Sequence, residues 1–295
     1  MAQFIVPEHD GDLTAEAFLQ QQIPAAPHSY LRQLLKKGKV RVGEIVLAAG
    51  DVVTTGVAIS LPDSQRVREL LALPSPVEPL PVKIDILYES REILVVNKPA
   101  GLAIHNSQGH ERDNLNDRVA TFLQQRGDKF RAAPVQRLDL ETSGPVLFGK
   151  GKKSCSELGK LFMAGEVAKT YLALVSGRLQ GRGELLSDIP AKGKIKVART
   201  TYQALVVNEM ASLLEIHLHT GRQHQIRRQL ADAGHPLYGD RRYHGPTPRK
   251  LSRLFLHCRR LAFRDPFSRQ HIEVICPLPR DLSRFLPQLG FQIPT

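Results

Sequence analysis

The spacing of hydrophobic positions changes along this chain, and the change separates a short helical segment from a longer strand-rich one. Near the N-terminus, apolar residues recur at helical spacing from Leu13 and again between Ser29 and Lys37, with Ser29 in the N-cap position. Gly38 is placed to end the second helix, and residues 39–42 then alternate basic with apolar side chains, as an edge strand does. This order predicts a small helix–helix–strand unit.

From residue 82 onward, short apolar runs typical of buried strands are mixed with amphipathic stretches typical of helices. The predicted strands are Ile93–Asn97, Val146–Phe148, Thr170–Ser176, Thr201–Val207 and Leu213–Thr220. Helices are predicted near Asn114–Gln125, Lys153–Met163 and Gln223–Ala233. Because only residues 208–212 join the last two strands, we expect an antiparallel hairpin there. Strands that follow one another without a regular helix between them indicate the α+β class.

A proline-rich stretch between residues 62 and 81 separates these two segments. Its prolines flank a short helical stretch, 65–73, and proline disfavours continuous regular structure; they are Pro62, Pro74, Pro76, Pro79 and Pro81. We therefore expect a first domain at residues 1–61, a linker at 62–81 and a larger domain at 82–295.

Composition indicates a soluble globular protein, because 42% of the residues are hydrophobic and 24% are charged. No apolar run approaches the ~20 residues of a membrane span, and the first residues lack the basic and apolar regions of a signal peptide. We therefore expect a cytoplasmic protein that does not associate with membranes. Cys155, Cys258 and Cys276 form no Cys-x-x-Cys pair, which argues against a zinc site and against a disulfide framework.

The charge balance narrows the class of partner. The chain carries a net charge of +12 with a pI near 9.8, and residues 1–81 hold 7 basic and 9 acidic side chains, which leaves 34 and 20 in residues 82–295. Such an excess suits a polyanion such as nucleic acid, although a basic protein without this partner would look the same. A run without acidic residues in the first domain is a further candidate surface, or else a solvated face; it comprises Arg32, Lys36, Lys37, Lys39 and Arg41.

Three segments hold residues that could carry chemistry. In residues 137–144, Asp139 lies on a turn before a strand, although an Asp in this position is often only a cap. In residues 220–228 a glycine ends a strand, and Arg222 could then hold a carboxylate or phosphate through two hydrogen bonds. His224 in the same segment has no second ligand nearby, which favours a hydrogen-bonding role over metal binding. Tyr171 lies in a predicted strand, where a core position is the ordinary interpretation.

Together with two turns, these segments resemble the motifs of the RluA-type family of RNA pseudouridine synthases, in the family's order. The likeness covers about residues 82–280. The first domain resembles, less closely, the alpha-L RNA-binding module of ribosomal proteins. The five matching stretches are Asn97-Lys98-Pro99-Ala100-Gly101, Arg137-Leu138-Asp139-Leu140-Glu141-Thr142-Ser143-Gly144, Lys169-Thr170-Tyr171-Leu172-Ala173-Leu174-Val175, Thr220-Gly221-Arg222-Gln223-His224-Gln225-Ile226-Arg227 and Gly234-His235-Pro236-Leu237-Tyr238-Gly239-Asp240.

The resemblance implies a mixed, largely antiparallel sheet with flanking helices, preceded by a small α/β RNA-binding domain. It also implies an isomerase that converts uridine in RNA to pseudouridine without a cofactor or metal. Asp139 would act as nucleophile or as the base that assists glycosidic cleavage, and Arg222 would keep it ionised. Tyr171 would stack on the uracil and could take the proton from its carbon 5. Further RNA contacts are expected from Arg137, Lys98 and Arg227 and from the five basic residues of the first domain.

Three positions depart from the family pattern and put the positioning of the Asp139 loop in question. Gln136 and Asp265 stand where His is usual, and Pro145 replaces a small aliphatic residue. Two other functions stay open: a non-catalytic RNA-binding or ribosome-assembly protein with the same fold, and a nucleoside hydrolase, which would need a second carboxylate as general acid. The alpha-L-like module favours ribosomal RNA, of the large subunit, over transfer RNA. We expect a monomer.

Overall fold

The chain forms two compact units, Met1–Leu80 and Pro81–Thr295. The computed structural model describes residues 2–8, 12–72, 82–105, 113–191 and 194–291. Each unit has its own hydrophobic core. Within these described ranges, no helix has both the length and the apolar character needed to cross a bilayer.

The first unit packs three short helices against a small antiparallel sheet. The sheet order is β1-β4-β2-β3, and Phe18, Leu31 and Ile59 are fully buried in its core. The second helix begins one residue earlier than predicted, with Pro27 rather than Ser29 in the N-cap position. The elements are β1 (Ala2–Ile5), α1 (Ala15–Gln22), α2 (His28–Lys36), β2 (Arg41–Val42), β3 (Ile45–Val46), β4 (Ala58–Leu61) and α3 (Gln65–Ala72).

The helical stretch within the predicted linker packs with the first unit. Helix α3 buries Val67 and Leu70 in the same core as Phe18. Burial of these two side chains removes apolar surface from water and so stabilises the packing of α3 on the first unit. Residues 73–81 of the predicted linker lie outside the described residues.

The second unit contains two antiparallel sheets. One has the order β5-β6-β8-β7 and the other the order β10-β11-β12-β9-β13-β14. The elements are β5 (Ile86–Glu89), β6 (Ile93–Lys98), α4 (Leu115–Gln125), β7 (Ala132–Pro134), β8 (Gly144–Lys150), α5 (Lys152–Ala164), β9 (Ala168–Ser176), β10 (Arg182–Ala191), β11 (Lys194–Val207), β12 (Ala211–Leu218), α6 (Gln225–Asp232), β13 (Leu256–Arg264), β14 (His271–Ile275) and α7 (Arg280–Ser283), followed by a 3-10 turn at Leu286–Leu289.

These pairings confirm the α+β class and the predicted hairpin of β11 and β12. Strands β5, β7, β10 and β14 were not predicted. A single parallel bridge between Ser143 and His257 joins the two sheets at the start of β8 and of β13. Buried side chains from both sheets, among them Val96 and Leu256, share one core with helices α4 and α6. The junction therefore places the segment before β8 beside β13, which is next to β9 in the larger sheet.

Candidate active site

Asp139 lies on the loop between β7 and β8, which is the segment that reaches this junction. Leu138 is buried and anchors the loop to the core, whereas the Asp139 side chain remains 27% exposed. The Thr142 amide donates a 3.1 Å hydrogen bond to the Asp139 carbonyl and closes the turn. The carboxylate is thus presented to solvent from a backbone that the core holds in place.

Lys98 fixes the loop from the side of β6. It is fully buried, and its ammonium donates to the carbonyls of Pro99 at 2.9 Å, Leu102 at 2.8 Å and Leu140 at 3.0 Å. Burial lowers the pKa of Lys98 to about 7, while the charge of Asp139 opposes that shift. The expected RNA contact of Lys98 is therefore wrong: all three of its donors hold backbone carbonyls, and none points to solvent.

The other end of the loop is fastened to β13. Ser143 Oγ lies 3.0 Å from His257 Nδ1, and His257 Nε2 donates to the Cys276 carbonyl at 3.0 Å. Because burial lowers the pKa of His257, the ring is neutral near pH 7 and its Nδ1 accepts from the serine hydroxyl. Gly144 has φ +126°, and a Cβ there would lie 2.2 Å from the Cys258 carbonyl oxygen. Only glycine allows β8 to pass this close to β13.

We expect the stability of the second unit to depend on the protonation of His257. Burial lowers the pKa of His257 from 6.5 to about 4. Between pH 6.5 and 4 the unfolded chain binds a proton at this residue and the native chain does not, so this contribution is complete above pH 6.5 and is lost as the pH falls. The loss should reach about 3 kcal/mol, measured as urea-unfolding free energy against pH.

The variant His257→Gln serves as the control, because an amide can bond both partners without titrating. The difference in unfolding free energy between wild type and variant should narrow as the pH falls from 6.5 to 4. A difference that stays constant over this range would contradict a neutral buried His257.

Arg227 is the arginine that faces Asp139. Its Nη1 lies 3.7 Å from Asp139 Oδ2, while Nε and Nη2 bind the fully buried Asp240 at 2.7 and 2.8 Å. These two hydrogen bonds orient the guanidinium and leave Nη1 free to face the Asp139 loop. The expected pairing of Arg222 with Asp139 is wrong, since Arg222 forms no ion pair within 4.0 Å in the described chain. The reason is local: α6 begins at Gln225, so Arg227 lies in its first turn and Arg222 precedes it.

His224 adds a second contact to the same carboxylate. Its Nε2 lies 4.0 Å from Asp139 Oδ2, and its Nδ1 lies 3.1 Å from the Tyr243 hydroxyl. The residue has φ 53°, a left-handed conformation that costs energy for a side chain other than glycine. Burial lowers the pKa of His224, with Asp139 opposing the shift. The hydrogen-bonding role predicted for this histidine is confirmed.

Tyr171 borders the site from β9. It is buried and pairs with Cys258 in the β9–β13 register. Burial, then Cys258, then the charge of Asp139 raise the pKa of the Tyr171 phenol well above 10. The phenol is therefore protonated near neutral pH, which disfavours it as the group that takes a proton from carbon 5.

The remaining expected RNA contacts lie on the surface. Arg137 is exposed and has no ion-pair partner among the residues that the structure describes. In the first unit Arg32 is paired with Glu16 at 2.6 Å, so one of the five charges is already compensated. The other four side chains are exposed: Lys36, Lys37, Lys39 and Arg41.

Two of the three departures have a structural account. The Gln136 side chain donates a 3.0 Å hydrogen bond to the Pro145 carbonyl and so connects the two ends of the Asp139 loop. Asp265 accepts from the Phe267 amide at 2.9 Å and from the Ser268 hydroxyl at 2.6 Å in the turn between β13 and β14. Both residues therefore stabilise backbone turns. No cluster of side chains suited to hold a metal ion occurs in the described parts of the chain.

Comparisons with known proteins agree with this site. The family model for RNA pseudouridylate synthase matches residues 92–232, a range that contains Asp139, Tyr171 and Arg227. The RNA pseudouridine synthase YhcT of Bacillus subtilis, described as uncharacterized, is 33% identical over 68% of this chain and 70% of its own length. Ribosomal large subunit pseudouridine synthase C of Vibrio vulnificus is 30% identical over 92% of this chain and 91% of its own length.

Solved structures show the same fold. Human RNA Pseudouridylate Synthase Domain Containing 1 aligns with a TM-score of 0.55 and 27% identity, covering 72% of this chain and 89% of the human one. Human RNA Pseudouridylate Synthase Domain Containing 4 gives a TM-score of 0.59 at 24% identity, with 72% and 95% covered. Fold, family model and relatives agree, and the chain belongs to the RluA-type family of RNA pseudouridine synthases, isomerases that act on RNA.

Proposed function

We propose that this synthase isomerises uridines of large-subunit ribosomal RNA and that the carboxylate of Asp139 begins the reaction. The bond between uracil nitrogen 1 and the ribose breaks, the base rotates, and carbon 5 bonds to the ribose in its place. Substrate and product are isomers, so the proton that leaves carbon 5 is balanced by the one that nitrogen 1 gains. Asp139 is proposed as nucleophile or as the base that assists cleavage.

The observation that carries this proposal is the contact between Asp139 and Arg227. The Arg227 guanidinium, 3.7 Å from Asp139 Oδ2, gives the carboxylate a fixed cationic neighbour beside the reaction centre. Asp240 holds Arg227 from behind, so the cation does not have to reorganise during the reaction. Since the Tyr171 phenol stays protonated, we assign it to packing against the uracil after the nucleotide has left its stack.

Ribosomal RNA is the target that the relatives favour. Ribosomal large subunit pseudouridine synthase C of Vibrio vulnificus and pseudouridine synthase D of Pseudomonas aeruginosa align over 92% and 94% of this chain. Coverage this high includes most of the first unit, whose exposed Lys36, Lys37, Lys39 and Arg41 suit contact with RNA phosphates. We propose that these side chains dock the ribosomal RNA without reading its sequence.

The test is an assay of the purified protein on three unmodified RNAs prepared by transcription. Large-subunit ribosomal RNA, small-subunit ribosomal RNA and a transfer RNA pool are incubated separately, and pseudouridines are mapped at single-nucleotide resolution. We expect modification at defined uridines of the large-subunit RNA alone. Modification of transfer RNA instead would overturn the proposed target.

The same assay separates the competing functions. Release of free uracil in place of pseudouridine would indicate a hydrolase. Binding without any change to the RNA would indicate a non-catalytic ribosome-assembly protein.

A further inference from the structure

Two basic side chains beside the active site have no counter-charge. Lys169 lies on β9, and Arg222 lies on the turn that follows β12. Both are partly buried, and neither side chain forms an ion pair or hydrogen bond in the described residues. The Nε of Arg222 is buried without a hydrogen-bond partner, and the Lys169 ammonium has only the face of Phe162, 5.9 Å away.

The two side chains lie at the same end of the β9–β12 pair: Lys169 precedes Thr170, which pairs with His217, and Arg222 lies on the turn four residues beyond the end of β12 at Leu218. Burial and then the charge of Arg222 lower the pKa of Lys169, with Cys258 opposing the shift. By contrast, the neighbouring Arg199 is paired with Glu184, so its charge is compensated within the protein. Two half-buried like charges repel one another and lose hydration, and both effects cost free energy. A bound anion between the two side chains would offset that cost.

The pair borders the reaction centre. Lys169 and Tyr171 are two residues apart on β9 and therefore lie on the same face of the sheet. Tyr171 pairs with Cys258 and is close enough to Asp139 for that charge to act on its phenol. Arg222 belongs to the segment that continues into His224 and Arg227, both of which contact Asp139. An anion held here would lie next to the uracil.

We propose that Lys169 and Arg222 together bind one phosphodiester group of the RNA strand beside the target uridine. This inference rests on the proposed function for the identity of the strand. A guanidinium offers a fork of donors that matches a phosphate, and an ammonium adds a point charge on the other side. A nucleotide that leaves its stack needs its backbone held while the base enters the site. Lys169 and Arg222 would hold the backbone, while Arg227 is the arginine that faces the Asp139 carboxylate.

The test measures RNA binding in the background of Asp139→Asn, so that no turnover is required. A short single-stranded oligouridylate is titrated at several salt concentrations with the variants Lys169→Gln, Arg222→Gln and the double substitution. We expect each single variant to bind about tenfold more weakly at low salt. The slope of log affinity against log salt should become shallower by about 0.7, the value for one phosphate contact on a single strand.

The double variant tests whether the two residues share one phosphate. Because they would act on the same group, their joint loss of affinity should be smaller than the product of the two single losses. Lys169→Arg and Arg222→Lys keep the charge and should retain most of the salt dependence. Lys153→Gln, which removes one exposed and unpaired charge on α5, is the matched control and should bind as the background does.

Two results together would overturn the proposal: Lys169→Gln and Arg222→Gln melt at the same temperature as the Asp139→Asn background, and their slopes of log affinity against log salt equal that of Lys153→Gln. It is also overturned if the losses multiply independently in the double variant, since the residues would then bind separate groups. Failure of the wild-type protein to form pseudouridine would sink the proposed function and leave this binding result intact. The two outcomes are therefore distinguishable.

Discussion

Replacement of Asp139 by Asn is expected to remove pseudouridine formation, by a factor on the order of 10⁴ or more, while RNA binding and folding survive. The amide has nearly the same shape as the carboxylate but can neither attack carbon nor accept a proton. The side chain is partly exposed, and its turn is closed by backbone hydrogen bonds, so the substitution leaves the loop supported. Single-turnover assays with mapped ribosomal RNA would measure the loss.

Glu141→Gln is the matched control for this prediction. It makes the same chemical change two residues away in the same loop, and the Glu141 side chain has no ion-pair partner in the described chain. We expect this variant to keep wild-type activity. If the protein were a hydrolase with Glu141 as its general acid, the variant would lose activity. Pseudouridine formation by Asp139→Asn would refute the role of Asp139. A comparable loss in Glu141→Gln would reopen the hydrolase.

Arg227→Ala is expected to damage both stability and activity. The buried Asp240 would lose the guanidinium that binds both of its oxygens, and a buried carboxylate left unpaired costs about 3–5 kcal/mol. Asp139 would lose its nearest cation in the same step. Urea unfolding should show the loss of stability, and turnover at a temperature where the variant is folded should show the loss of rate.

A second substitution separates these two effects. In the double variant Arg227→Met with Asp240→Asn both charges are removed, and the Asn oxygen can still accept from the Arg242 and Tyr243 amides, so that stability should recover relative to Arg227→Ala while activity stays lost. Arg241→Ala removes an exposed arginine of the same loop that has no ion-pair partner in the described residues, and it should behave as wild type. Recovery of activity together with stability would mean that Arg227 has no role beyond holding Asp240.

The local elements of the fold could be predicted from hydrophobic spacing, but the arrangement of the sheets could not. Helices α4 and α5 and strand β12 lie within two residues of their predicted positions, whereas β11 begins seven residues before its predicted start. Strand β10 was not predicted because it contains Gly183 and Pro190, and both residue types are depleted in strands. Its pairing with β11 depends on a ladder between strands, which no local pattern displays.

The candidate site divides in the same way. Asp139 stands out in sequence because it lies in a distinctive motif, whereas the choice between Arg222 and Arg227 depends on where α6 begins. Helix α6 begins directly after His224, which adopts a left-handed backbone conformation that residue types alone do not predict. Lys98 was expected to contact RNA because its turn is one of the five stretches that resemble the family. Only the tertiary structure shows that its three donors are occupied by carbonyls.

The bridge between Ser143 and His257 has a consequence for how activity is lost under stress. Since the catalytic loop is tied to one sheet through Lys98 and to the other through His257, it has no hinge of its own about which to open. Loops that open locally lose function long before a protein melts, because few buried contacts hold them. The Asp139 carboxylate is instead held to both sheets, so we expect heat inactivation and global unfolding of the second unit to occur as one event.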